Sequence, residues 1–319
     1  MDNASSDDTP SLRREFMGRF TRFVYHRNVR NLTFSAANNR AARTAGGRVL
    51  VFLNNDVVVD AGAVQRLVAA AETTGGVAGA KLLFPGRNTF QHAGMKQMLW
   101  GYASNLGTSA PADHPLLNRA APMWAVTGAM LGLPADLFHA VGGFDERFRW
   151  GYEDVDICLE VRETGAEVRF VPDATATHVE SATLASVRRA ADLSSNYALY
   201  RRKWNHRLVP NERAALARLT GSGVRRAVIF GTGLAASGLT RAFRRYGVEV
   251  AAFTETSPSR PRMLGRPVVP LDDVDRLEFD RLVVASQHFY ALEEQLRPLD
   301  PTGQPLFPLA GPWDLDEAP

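Results

Sequence analysis

A single cysteine, Cys158, stands among 319 residues. One thiol cannot close an intrachain disulfide, so the fold must rest on burial and hydrogen bonding, and a reducing compartment suits it. No apolar run of about 18 residues or more occurs, so no membrane-spanning helix is predicted. The opening residues, Met1-Asp2-Asn3-Ala4-Ser5-Ser6-Asp7-Asp8, lack the basic start and apolar centre of an export signal, which predicts a cytoplasmic location. Lysine is scarce: Lys81, Lys96 and Lys203 are three of the 37 basic residues, a skew that points to coding bias more than to a built arginine surface. Basic residues exceed the 34 acidic ones by only three. That excess is too small to demand a polyanion, and no nucleic-acid motif appears, so nucleic acid is not an expected partner. What is present is ordinary globular material, 45% hydrophobic and 22% charged, at a length that predicts two domains.

The order of elements predicts α/β layers. Residues 11–22 space Leu12, Phe16 and Phe20 for a short amphipathic helix, and residues 23–26 follow as a possible strand. Residues 34–45 read as a helix stopped by Gly46-Gly47. Val49 to Leu53 is an apolar run suited to a strand covered on both faces. Further helices are predicted over 61–73, 153–164 and 184–204, with strands over 77–83 and 168–171 and a loop over 100–121. The alternation predicts a largely parallel sheet. A first α/β domain is assigned to residues 1–206, a linker to 207–223, a small Rossmann-like domain with three strands to 224–298, and a Pro-rich tail to 299–319.

Three places carry chemistry. Asn54-Asn55-Asp56 ends a buried strand, where α/β sheets bind ligands, and a carboxylate there can hold Mg²⁺ or Mn²⁺; a solvated turn explains the same residues. Glu153-Asp154 begins a predicted helix, whose dipole favours an ionised carboxylate able to act as a general base; ordinary helix-start decoration is the alternative. His178 follows a strand and is either a metal or phosphate ligand or a structural histidine.

Their order resembles family 2 glycosyltransferases of the rhamnosyltransferase-like kind. The resemblance is carried by Asp2-Asn3-Ala4-Ser5-Ser6-Asp7, Asn31 to Asn39, Phe52-Leu53-Asn54-Asn55-Asp56, Thr127-Gly128-Ala129, Gly142-Gly143-Phe144-Asp145-Glu146 and Gly151-Tyr152-Glu153-Asp154-Val155-Asp156, over about residues 2–206. It implies an A-type glycosyltransferase domain and an inverting transfer from a nucleotide-sugar donor to a glycan or lipid-linked saccharide. On that reading Asp2 touches the donor base or ribose. Asn54 and Asn55 serve the diphosphate, and Asp56 with His178 serves the metal. Asp154 is the base with Glu153 beside it, and Thr127, Gly128 and Ala129 line the acceptor side. Thr33 stands where the family usually has glycine. Family members also place a strand, a helix and a second strand ahead of the motif that starts here at Asp2. The expectation is that Met1 is a misassigned start, and that without those elements the donor pocket is open and activity weak.

The second unit has its own signal. Gly231-x-Gly233-x-x-Ala236 lies between a strand and a helix, with Glu255 about twenty residues on, a pattern for a dinucleotide's phosphates and ribose; a tight turn with close helix packing is the alternative. Nine arginines against Glu15 over residues 11–48 are either a solvated face or a patch drawing a diphosphate- or lipid-linked acceptor at an anionic inner-membrane surface. A non-catalytic nucleotide-binding or assembly module is the competing function. A nicotinamide-dependent oxidoreductase ranks last, because no Tyr-x-x-x-Lys dyad follows the fingerprint.

Overall fold

The computed structural model describes residues 1–179 and 187–308; side chains of 187–192 fall outside it, as do the first residues of the helix expected from 184 and the tail from 309 onward. Helix α1 (Thr9–Phe16) is shorter than its spacing predicts, and it buries none of its residues. Residues 23–26 form no strand; the nearby pairing is an isolated parallel bridge between Asp2 and Arg27. Helix α2 (Phe34–Ala42) starts where the Thr33 side chain accepts the Ala36 N–H at 3.3 Å. Its buried Asn39 donates to the Phe144 carbonyl at 2.8 Å and accepts from the Phe144 N–H at 2.9 Å, tying α2 to the turn at 142–146.

Strand β1 (Val49–Leu53) leads through the 54–56 turn into β2 (Val57–Val59) and helix α3 (Ala63–Thr74), which Gly75 ends in the left-handed region. Strand β3 (Val77–Leu83) is the centre of the sheet and is buried along nearly all its length. Strands β4 (Phe90–His92), β5 (Met95–Gln97), β6 (Ala103–Asn105), β7 (Ala121–Pro122) and β8 (Met130–Pro134) follow, so the expected loop over 100–121 holds parts of two strands. Helices α4 (Ala135–Ala140) and α5 (Glu153–Glu163) precede β9 (Val168–His178).

The sheet order is β1-β8-β3-β9-β2, with β4 on β3 and β7 on β9. Only β3 and β9 run parallel, so the largely parallel expectation fails in this domain. β2, β4 and β7 pair antiparallel, and so does β8, a short strand that enters between β1 and β3. It also leaves β1 at an end of the sheet: Leu50 and Phe52 are buried, while Leu53 is 46% exposed, unlike a strand covered on both faces. β9 outruns its expected end at Val171 because a register shift against β3 between Ala80 and Lys81 absorbs Pro172-Asp173, and pairing resumes at Thr175.

Helix α6 (Val187–Gly221) runs through residues 207–221 of the stretch assigned as a linker. It contributes buried Tyr200, Trp204 and Leu208 to a hydrophobic cluster that extends from Phe52 and Phe144 to Phe230 and Tyr290. Beyond it come β10 (Arg226–Phe230), α7 (Leu234–Arg245), β11 (Glu249–Glu255), β12 (Arg262–Met263), β13 (Arg266–Pro270), β14 (Arg281–Val284) and α8 (Phe289–Leu296). This second sheet has five strands rather than three, ordered β12-β13-β11-β10-β14, and it is parallel from β13 to β14. No helix among the described residues is long and apolar enough to cross a membrane.

Candidate active site

Residues 127–129 sit just ahead of β8 and hydrogen-bond in three directions. The Gly128 N–H donates to Asp154 Oδ2 at 3.0 Å. The Ala129 carbonyl accepts the Asn54 N–H at 2.9 Å, where β1 ends. The Thr127 N–H donates to His92 Nε2 at 3.3 Å. Glycine at 128 keeps this approach close, because a Cβ there would lie 3.2 Å from the Phe34 ring and 3.3 Å from Asp154 Cβ, tighter than an ordinary contact. One short turn therefore joins the Asn54-Asn55-Asp56 turn to Asp154.

Asp154 opens α5 and also accepts the Val155 N–H at 2.8 Å. Burial raises its carboxyl above the ordinary carboxylate range, and the two N–H donors only partly oppose that. Glu153 is raised by burial first and by the charge of Asp154 second. Its Oε2 is buried without a hydrogen-bond partner among the described residues. Two adjacent carboxyls, both raised by burial, titrate as a pair, and the two N–H donors favour the charged form on Asp154.

α6 fixes the loop that delivers this pair. Asn196 is buried, and its amide donates to the carbonyls of Trp150 at 2.6 Å and Gly151 at 2.9 Å. Lys203 bonds Asp156 at 2.8 Å and Glu160 at 2.7 Å, and Trp204 Nε1 donates to Asp156 Oδ1 at 2.8 Å. These contacts set the angle of α5 against the turn. Sequence reading places a helix over 184–204 and misses them, because the partners lie more than forty residues away in the chain.

On the other side of the turn, His178 Nε2 lies 3.2 Å from Asp56 Oδ1. The Gln91 amide donates to the His178 carbonyl at 3.3 Å, so its Oε1 is the atom 2.7 Å from His178 Nδ1 and must accept from it. Nδ1 then carries a proton, and Nε2 meets the carboxylate either as the N–H of a charged ring or as a lone pair. In the second case two electron-rich atoms converge, and a divalent cation resolves the conflict. The donor set suits Mg²⁺ or Mn²⁺, which keep open positions for phosphate oxygens and water. No group of three His, Cys, Asp or Glu side chains suited to a metal occurs among the described residues, so this pair would need such outside ligands. Asn54 is half-buried and Asn55 exposed in the same turn.

His92 and Gln91 are missed by sequence reading. His92 is buried, with Nδ1 donating to Asn105 Oδ1 at 2.8 Å, and burial lowers it to about 4, so the ring is neutral and its Nε2 accepts from Thr127. Two polar residues in a three-residue strand leave no periodic signal; the signal available was only their setting between apolar neighbours.

Asp2 is buried and saturated. Its carboxylate accepts from the Tyr25 hydroxyl, from Arg27 Nε at 3.1 Å and from the Ser5 N–H at 2.8 Å, and the Tyr25 bond leads in lowering it to about 2.

The C-terminal candidates form a separate group. Gly231 (φ +102°) ends β10, donates to the Thr254 carbonyl at 2.8 Å, and lies where a Cβ would stand 3.2 Å from the Ala285 carbonyl oxygen. Gly233 caps α7, Ala236 is fully buried, and Glu255 accepts the Thr232 hydroxyl. Chain order reverses direction between β10 and β14, so this glycine turn sits at a topological switch point.

Residues 1–124 match the family model Glycosyl transferase family 2, and residues 113–182 match the model N-terminal domain of galactosyltransferase. The chain is 37% identical over 183 residues to the O-antigen biosynthesis protein RfbC of Myxococcus xanthus, covering 53% of this chain and 14% of that protein. It is 33% identical over 212 residues to the uncharacterized protein y4gI of Sinorhizobium fredii (strain NBRC 101917 / NGR234), covering 64% of this chain and 23% of that one. Among solved structures, GalNAc-T7 with UDP, GalNAc and Mn²⁺ is similar with a TM-score of 0.52 and 16% identity, over 78% of this chain and 48% of that one. The chain thus spans less than a quarter of these two relatives and about half of the matched structure. The structural likeness shows the fold, which is the A-type glycosyltransferase fold.

Proposed function

We propose, from the premise that this chain belongs to the family 2 glycosyltransferases, that it moves a sugar, with inversion, from a nucleoside-diphosphate donor to a hydroxyl of a glycan or lipid-linked saccharide. The observation that carries this reading is the 127–129 turn, which hydrogen-bonds Asp154 on one side and the Asn54 end of β1 on the other. Asp154 takes the proton of the acceptor hydroxyl as that oxygen attacks the anomeric carbon from the face opposite the leaving group. A carboxyl raised by burial is suited to this work near neutral pH. Glu153, protonated, donates to the acceptor and leaves the single charge to Asp154.

Asp56 and His178 would hold Mg²⁺ or Mn²⁺, which supplies positive charge to the departing diphosphate. Gln91 orients His178 for that role. Asn54 and Asn55 offer amides to phosphate oxygens, and Asp2, locked by Tyr25 and Arg27, faces the donor's base or ribose. With no covalent intermediate, positioning and electrostatics supply most of the rate. Exposed Leu12, Met17 and Phe20 among the N-terminal arginines favour peripheral contact with an anionic membrane, where lipid-linked acceptors lie.

The C-terminal sheet supports a second binding reading. The glycine turn at the switch point, the start of α7 and Glu255 suit a nucleotide or dinucleotide. Two experiments test the whole. Nucleoside diphosphate release from nucleotide sugars with Mn²⁺ should occur and should collapse in Asp154→Asn. Undiminished release in that variant contradicts the assignment of the base. A thermal-shift series with nucleotides should show stabilisation that grows with concentration, and no shift with any of them contradicts the nucleotide sites.

A further inference from the structure

We infer that His92 is a positioning residue for the transfer: its ring holds the 127–129 turn from the side of β4, and through that turn it keeps the Gly128 N–H on Asp154. This rests on the reading of Asp154 as the base, and adds a residue that acts on it from another strand, through the backbone.

Strand β4 is three residues long and buried throughout. Its neighbours Phe90, Ala93, Ala125 and Val126 belong to the hydrophobic cluster. A ring with two nitrogens is a costly way to fill such a place, because each polar atom gives up water and must find a partner. An apolar residue would fill position 92 without that cost. His92 meets the demand at both ends. Asn105 Oδ1 stands 2.8 Å from Nδ1, and the Thr127 nitrogen lies 3.3 Å from Nε2. A backbone N–H can only donate, so Nε2 offers its lone pair and Nδ1 carries the proton. A charged ring would turn a second N–H against that of Thr127. Burial, with the charge of His178 as a smaller cause, lowers the ring to about 4 and keeps it uncharged at neutral pH.

The segment that leads into the turn is held residue by residue. The Ala125 carbonyl accepts the Met95 N–H at 2.8 Å, and the Val126 carbonyl accepts the Cys158 thiol at 3.8 Å. Thr127 comes next. Its N–H goes to His92, and its Oγ1 accepts the Ala129 N–H at 3.3 Å. The bonds that follow serve the site: the Gly128 N–H to Asp154, and the Ala129 carbonyl to the Asn54 N–H. His92 is thus the anchor immediately ahead of the residue that donates to the base. Without that anchor the turn can slip, and Asp154 loses one of its N–H donors. A carboxylate with fewer donors takes a proton more readily. Glu153, Tyr152 and Cys158, at the start of α5 and along it, also act electrostatically with Asp154. His92 acts from β4 instead, by hydrogen bonding.

The first measurement uses the full wild-type chain without donor or metal. With ¹⁵N-labelled histidine, one of the seven histidines, assigned by its loss in His92→Gln, should show a protonated Nδ1 and a bare Nε2 between about pH 6 and 9. The opposite tautomer, or a charged ring in that range, overturns the proposal. Two variants then separate holding from filling: His92→Gln keeps an acceptor oxygen, and His92→Leu keeps the volume without one. In nucleoside diphosphate release, His92→Leu should lower kcat/KM about 10–100-fold. It should also move the acidic limb of the pH profile up by about one unit. His92→Gln should restore most of the rate and the wild-type limb. Equal losses in both variants with an unmoved limb mean packing alone and overturn the proposal. Normal release in His92→Leu also overturns it and leaves the transferase reading intact. Hydrogen exchange at the Gly128 amide, read on the same samples, should quicken in His92→Leu and stay slow in His92→Gln. That pattern, in a wild type that releases no nucleoside diphosphate, sinks the transferase reading and supports the hold of His92 on the turn.

Discussion

The acidic residues of the C-terminal sheet and the Glu153-Asp154 pair of the N-terminal domain are treated in opposite ways. In the C-terminal sheet they are satisfied: Glu255 accepts from Thr232, Asp280 accepts the N–H groups of Arg225 and Arg226 at 2.8 Å each, and Asp300 accepts the Leu282 N–H at 2.6 Å. In the N-terminal domain, Asp154 and Glu153 are crowded together at one helix start, both raised by burial, and one oxygen of Glu153 lacks a hydrogen-bond partner among the described residues. Satisfied carboxylates fix a loop or meet a ribose. Carboxylates held at a disadvantage move protons. This contrast is the one that the proposed function uses, with chemistry assigned to the N-terminal pair and binding to the C-terminal sheet.

The largest expected effect belongs to Asp154. Asp154→Asn should lower nucleoside diphosphate release by about 10²–10⁴-fold, measured in single-turnover assays, and a loss under about threefold breaks the contrast. Next comes the metal pair. Asp56→Ala should abolish the dependence of turnover on Mn²⁺. Gln91→Leu, which removes the hydrogen bond behind His178, should weaken Mn²⁺ about 10–100-fold by calorimetric titration, and unaltered affinity removes the orienting role of Gln91.

The Glu153 carboxyl gives a smaller effect with a definite sign. Its native value lies above its ordinary 4.5, so it contributes stability present below that value and lost as pH rises through the raised one. Glu153→Gln should therefore gain on the wild type by about a few degrees in Tm as pH rises from 5 to 9. A constant difference across that range denies the raised carboxyl. The smallest effect is expected at Gly231. Gly231→Ala places a methyl at φ +102° beside the Ala285 carbonyl, and should cost on the order of 1–3 kcal/mol in thermal unfolding of the C-terminal sheet. It should also remove nucleotide-dependent stabilisation, and stabilisation equal to wild type moves the nucleotide site elsewhere.

Local signals were readable in the sequence and long-range ones were not. Gly75 stops α3 and Glu153 begins α5 at the positions that the residue chemistry predicts. The Gly231 turn and its flanking strand and helix were equally plain. The antiparallel entry of β8 was hidden, because Met130-Leu131-Gly132-Leu133 carries no mark of direction and its neighbours β1 and β3 are distant in sequence. The apolar residues 168–171 mark only the start of β9, because a bulge carries the strand past Pro172 to His178. Within the site, the acidic residues stand out by type. Gln91, His92 and Asn196 matter only through what folding places against them, and a residue's partner is not written in its own segment.

A double-mutant cycle on nucleoside diphosphate release, using wild type, Asp56→Ala, Asp154→Asn and the combined variant with Mn²⁺ present, addresses the central claim most directly. If the two carboxylates serve one transition state through the 127–129 turn, each single change cuts turnover severely and the pair together loses little more than the worse single variant. Losses that multiply, or wild-type turnover in either single variant, would show that Asp56 and Asp154 do not work as one site.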